Sequence, residues 1–103
     1  MILKQGIDVK GLQPEILLAV MVAFKVFHSC GYHLVITSAL DGKHSKRSKH
    51  YIGQAVDLRI RHIGDDVFLN SIVREISHNL TTDYDVVLES DHIHIEYDPK
   101  EAQ

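Results

Sequence analysis

The sequence has little that would tie the protein to an oxidising compartment, a membrane or a nucleic acid. It contains one cysteine, Cys30, which excludes a disulfide within the chain. No segment approaches the roughly 20 apolar residues that span a bilayer, and residues 1–8 lack the basic and then apolar pattern of a secretion signal. The formal net charge is −3, and the basic run 43–49 is confined to one loop. Both observations argue against nucleic-acid binding.

The sequence also has no internal repeat, low-complexity segment or linker. Its 103 residues, nearly half of them hydrophobic, are enough for one small core. We therefore predict a single domain over 1–103, and expect it to be a monomer that does not insert into membranes.

Two stretches have the periodicity of amphipathic helices. Apolar residues recur at helical spacing after Pro14, which suits a first helical turn, and Gly31 ends the pattern. A second pattern runs to Leu80 from either Asp65 or Asp66, both of which can cap a helix. These are the two main helices of the predicted fold.

Strands are predicted where apolar and polar residues alternate or where β-branched residues cluster, over 32–38, 54–60, 84–89 and 93–97. Residues 1–12 form a lead-in, with a short strand or a turn around 7–12. This order predicts an α+β fold with an antiparallel sheet of about four strands. The two helices are expected on one face of the sheet and the candidate metal site on the other.

Two of these strands carry residues that can bind a metal ion. Asp57 projects from one strand, and His94 shares a face of the last strand with His92. Antiparallel pairing of the two strands would bring Asp57 and His94 together. His50 lies on the incoming turn, and Gly53 permits a sharp bend after it. Catalytic zinc sites use three such protein ligands, so we predict zinc bound by His50, Asp57 and His94.

The pattern Ser-x-His-x-x-Gly-x-Ala-x-Asp over 48–57, followed by His-x-His over 92–94, resembles a known family of zinc peptidases. These are the D-Ala-D-Ala carboxypeptidases and L-alanyl-D-glutamate endopeptidases, which share their fold with the hedgehog signalling domain. The resemblance extends to Thr37-Ser38, His44-Ser45 and 83–89. It implies a zinc cofactor and a peptidoglycan stem peptide as substrate. Small members of the family are frequently bacteriophage or prophage proteins, so an endolysin-type role is implied as well.

A zinc peptidase also needs a general base that can protonate the leaving amine, and a donor for the oxyanion. Asp91 lies three residues before His94, where members similar to the D,D-dipeptidases carry an acidic base. Glu89 lies five before it, near the glutamate of hedgehog-like members. We favour Asp91 as the base, although a charged hairpin turn would explain either residue. His92 could donate to the oxyanion or orient a ligand.

The substrate-binding residues are less clearly marked. Many carboxypeptidases carry an arginine shortly after the Thr-Ser pair, but here 37–41 reads Thr-Ser-Ala-Leu-Asp. Arg47 or Lys43 could replace it, and Ser48 and His44 are further candidates, with a surface position for His44 equally consistent. The missing arginine favours an endopeptidase over a carboxypeptidase.

Two other functions remain compatible with the sequence: a non-catalytic binding module that keeps zinc for structure, and a phage structural or assembly protein with the same fold. As a peptidase without a secretion signal, the protein would be made in the cytoplasm. It would act on the wall after host lysis, through a pore, or on delivery by a virion.

Overall fold

Residues 1–40 and 52–100 are the part of the chain that the structure, a computed structural model, describes. They form two helices, α1 (Pro14–Ser29) and α2 (Asp66–His78). The five strands are β1 (Ile2–Leu3), β2 (Val35–Ser38), β3 (Ala55–Arg59), β4 (Tyr84–Leu88) and β5 (His92–Tyr97). The α+β class and the two predicted helices are confirmed.

The strands form one mixed sheet in the order β1-β2-β3-β5-β4. All neighbouring pairs are antiparallel except β1 and β2, which run parallel. The prediction of a purely antiparallel sheet of about four strands is therefore wrong. The additional strand, β1, has only two residues, too few to produce a visible alternation.

For residues 7–12 the sequence predicted either a short strand or a turn, and the structure has a turn there. The Leu12 N–H donates to the Val9 carbonyl at 3.4 Å, and Gly11 has a φ of 82°. A positive φ at this position interrupts an extended conformation, which explains the turn.

Both helices begin at residues suited to a first turn. Pro14 occupies the start of α1. Asp65 caps α2, because its carboxylate accepts hydrogen bonds from the backbone N–H groups of Val67 at 2.9 Å and Phe68 at 3.2 Å. The structure thus selects Asp65 over Asp66 as the cap.

The sheet separates the hydrophobic core from the candidate site. Apolar residues of β3 and β5 pack with α1 and α2 in one buried cluster that includes Phe27, Leu58, Ile72, Ile93 and Ile95. Alternate positions on the same strands project to the other face. Burial of the apolar side chains therefore fixes the backbone from which the polar side chains of the site project.

Candidate metal centre and adjoining cleft

The centre is built on the pairing of β3 with β5. Asp57 lies directly opposite His94 in this antiparallel ladder, as the alternation predicted. The Nδ1 atom of His94 is 2.9 Å from Oδ1 of Asp57, and both side chains are largely buried. The predicted proximity of these two residues is confirmed.

A second carboxylate contacts the other side of the His94 ring. Nε2 of His94 lies 2.9 Å from Oε1 of Glu96, which follows two residues later on the same face of β5. The hydrogen bond with Asp57 raises the pKa of His94, burial opposes it, and the bond with Glu96 raises it further. A proton and a metal ion compete for a ring nitrogen, so the carboxylates that raise the pKa of His94 also favour the proton in that competition.

His92 completes a group of three possible ligands. One side-chain donor atom from each of Asp57, His92 and His94 can be chosen so that all three lie within 4.8 Å of one another. Two imidazole nitrogens and a carboxylate oxygen suit zinc and other transition metals. This donor set fits the predicted cofactor. It was found among the described residues, which do not include the predicted ligand His50.

Asp91 contacts the ring of His92. Its Oδ1 atom is 2.6 Å from Nδ1 of His92. An ionised carboxylate only accepts hydrogen bonds, so Nδ1 carries the proton and, in the neutral ring, Nε2 keeps a lone pair. Nε2 lies on the side of Asp57, 3.7 Å from its Oδ1 atom. His92 therefore presents an acceptor nitrogen toward the centre.

A cleft of about 760 Å³ adjoins this centre. Its wall includes Asp57 and His92 of the centre, together with Ser38, Arg59 and Asp91. Two of the ligand candidates, Asp57 and His92, and the favoured base Asp91 thus line one space large enough to receive part of a peptide.

Glu89, the second acidic candidate, is placed by the end of the β4–β5 hairpin. Its backbone N–H donates to the His92 carbonyl at 2.8 Å, and its side chain is exposed. Glu89 is therefore close to His92 along the ladder, whereas Asp91 both contacts the His92 ring and lines the cleft.

The backbone conformation and the close approach of a neighbouring segment both require glycine at position 53. Its φ is 76°, and a Cβ atom built on it would lie 2.4 Å from the Gly11 carbonyl oxygen. The Gly53 carbonyl also accepts a hydrogen bond from the Gln13 N–H at 2.9 Å. Glycine at this position lets the chain that leads into β3 pass against the segment that leads into α1.

Several predicted site residues lie outside the described residues. These are His50 among the predicted ligands and His44, Arg47 and Ser48 among the substrate-binding candidates. Conversely, Arg59 was not predicted as a site residue. The signal that could have found it was the alternation along β3, which puts Arg59 on the same face as Asp57.

A second group of carboxylates lies further along the same face of the sheet, formed by Asp85, Glu96 and Asp98. Lys100 already neutralises part of this group, since its Nζ atom is 3.2 Å from Oδ1 of Asp85 and 3.3 Å from Oδ2 of Asp98. We assign no metal ion to it.

Comparison of the chain with protein-family models, curated proteins and solved structures found no match. Neither helix of the described residues is long and apolar enough to cross a membrane.

Proposed function

We propose that the protein is a zinc-dependent peptidase that hydrolyses an amide bond in the stem peptide of peptidoglycan. The observation that carries the proposal is the pairing of Asp57 with His94 on adjacent strands, with His92 beside them. Asp57 and His92 of this group line a cleft. The spacing of the same residues in the sequence is what resembles the zinc peptidases of the bacterial wall.

The proposed ligands are Asp57, His94 and His50, with His92 the alternative third ligand. When bound, zinc supplies Lewis-acid activation of water and of the scissile carbonyl. Structural zinc sites are usually closed by four protein ligands, whereas catalytic sites have three and keep one position for water or substrate. Ligand candidates that line an open cleft therefore favour catalysis over a non-catalytic zinc module.

Asp91 and His92 form the proposed acid–base pair. With Nδ1–H directed to Asp91, Nε2 of His92 can accept a proton from the attacking water and return it to the leaving amine. Asp91 would then act through His92, or directly as the base where its carboxylate reaches the cleft. Both routes require Asp91, only the first requires His92, and Glu89 remains the competing carboxylate.

The preferred bond lies within the stem peptide and not at its end, since 37–41 lacks the arginine that many carboxypeptidases carry there. We expect internal cleavage of the stem to be faster than release of terminal D-alanine. Measuring both reactions on one preparation tests this preference, and faster release of free D-alanine would reverse it.

Digestion of purified peptidoglycan tests the function as a whole. The zinc-loaded protein should release fragments cut within the stem peptide, identified by mass spectrometry, and His94→Ala should release none. His78→Ala, which changes an exposed histidine at the end of α2, is the matched control and should match the wild type. Intact stems after prolonged digestion with folded, zinc-loaded protein would refute the proposal and favour a non-catalytic or phage structural role.

A further inference from the structure

We propose that Arg59, supported by Lys4 and Arg61, binds a carboxylate group of the peptide substrate in the cleft. The inference rests on the proposed function, because it is that function which supplies a peptide with free carboxylates. It extends the proposal by assigning the residue that positions the substrate next to the metal centre.

The position of Arg59 places it beside the proposed reacting groups. It follows Asp57 by two residues on β3, so both side chains project from the same face of the strand. Its Cα partner across the ladder is His92. Arg59 and His92 also line the same cleft, so a group bound by Arg59 would lie close to the acceptor nitrogen of His92.

The guanidinium of Arg59 is left available for a ligand. It is half-buried, yet within 1–40 and 52–100 it makes no side-chain hydrogen bond or salt bridge. The neighbouring carboxylates of Asp57 and Asp91 contact histidine rings instead. A partly desolvated cation with five N–H donors gains most from an anionic acceptor that enters the cleft.

Two further cationic side chains line the cleft. Lys4 and Arg61 line the same cleft, and both are exposed. Asp66, at the start of α2, also lines it, but no salt bridge connects it with Arg59. Three cationic side chains, those of Lys4, Arg59 and Arg61, thus line the cleft that His92 also lines.

The planar guanidinium selects the shape of the group that it binds. Its two parallel N–H groups match the two oxygens of a carboxylate, which a lysine cannot reproduce. A stem peptide with lysine as its third residue offers two such groups, the free carboxylate of its D-glutamate residue and the terminal carboxylate of D-Ala-D-Ala. The chemistry of recognition is the same for both, and the experiment distinguishes them.

The test uses a synthetic stem pentapeptide that begins L-alanyl-D-glutamate and ends D-Ala-D-Ala, and two analogues in which one or the other carboxylate is a carboxamide. The zinc-loaded protein should discriminate against one analogue by roughly ten- to hundredfold in kcat/KM, the range for a hydrogen bond to a charged group. Arg59→Gln should abolish that discrimination. Arg74→Gln, which removes an exposed arginine of α2, should retain it.

Dissociation constants for the three peptides separate this inference from the proposed function. They are measured with and without Arg59→Gln in protein that also carries Asp91→Asn, because this variant should bind the peptides but hydrolyse them slowly. If the wild type hydrolyses no peptide, the constants are measured without Asp91→Asn. Carboxylate discrimination that depends on Arg59 supports the inference even where hydrolysis is absent. No discrimination in the wild type, or equal discrimination in Arg59→Gln, would overturn it while leaving any measured hydrolysis intact.

A conservative variant covers the case in which Arg59→Gln does not fold. Arg59→Lys keeps a cation but not the paired donors, so it should reduce the discrimination without abolishing it. If Arg59→Lys unfolds at the same temperature as the wild type and still discriminates equally against the carboxamide analogue, the assignment is wrong.

Discussion

At the level of single residues, carboxylates hold both imidazole rings of the candidate centre. His94 lies between Asp57 and Glu96, and His92 is held by Asp91. Carboxylate partners of this kind fix the ring orientation and the tautomer of histidines in metal sites. For His92, the contact of Asp91 with Nδ1 leaves Nε2 as the nitrogen that can accept a proton or bind a metal ion.

Replacement of Asp91 and His92 tests the proposed acid–base pair. Asp91→Asn should retain zinc and lose about 10²–10⁴-fold in turnover, the usual contribution of a general acid–base group. His92→Ala should lose at least about 10²-fold. Because the two side chains are in contact and act together, the double variant should be little worse than the worse single variant. Initial rates on stem peptide, with zinc content measured on each variant, check this.

Glu89→Gln is the matched control for the acid–base pair. It removes the charge of an exposed neighbour on the same hairpin and should leave turnover near that of the wild type. If Glu89→Gln is inactive and Asp91→Asn retains full turnover, the base is Glu89. Multiplicative losses in the double variant would instead mean that Asp91 and His92 act independently.

At the level of the elements, glycine determines how the chain enters β3. Gly53→Ala should destabilise the fold through both a positive φ and a collision with the Gly11 carbonyl. Gly31 also has a positive φ, but an added Cβ atom would meet no neighbouring atom within 4 Å. Gly31→Ala should therefore lower the free energy of unfolding by about 1–2 kcal/mol. Gly64→Ala meets neither obstacle and should be close to neutral. Urea unfolding of the three variants should therefore rank Gly53→Ala as the most destabilised, and a cost at or below that of Gly31→Ala would contradict this explanation.

The elements that the sequence predicted well are those whose periodicity extends over several residues. Alternation over 54–60 and 93–97 predicted β3 and β5 and the shared face of Asp57 and His94, because side chains of a strand alternate strictly. The two-residue β1 carries no such signal. Its pairing of Ile2 with Val35 depends on a contact distant in the sequence, which local patterns do not encode.

At the level of the whole molecule, the two faces of the sheet have different roles. Helices α1 and α2 complete a core with one face, and the other carries the candidate centre and borders its cleft. Because strand alternation assigns side chains to faces, the sequence predicted that Asp57 and His94 lie together on one face of the sheet. It could not predict that Arg59 and Lys4 border one cleft, since Lys4 reaches it only through the packing of distant segments. The predicted ligand His50 lies in 41–51, outside the described residues.

The metal content of the purified protein tests the central claim, that Asp57 and His94 hold a zinc ion. The protein is loaded with excess zinc and desalted, and its zinc content is then measured by elemental mass spectrometry. The wild type should contain one zinc ion per chain. Asp57→Ala and His94→Ala should lose it, His78→Ala should keep it, and comparison of His50→Ala with His92→Ala identifies the third ligand. Full zinc occupancy in both Asp57→Ala and His94→Ala, or no zinc in the folded wild type, would contradict the account.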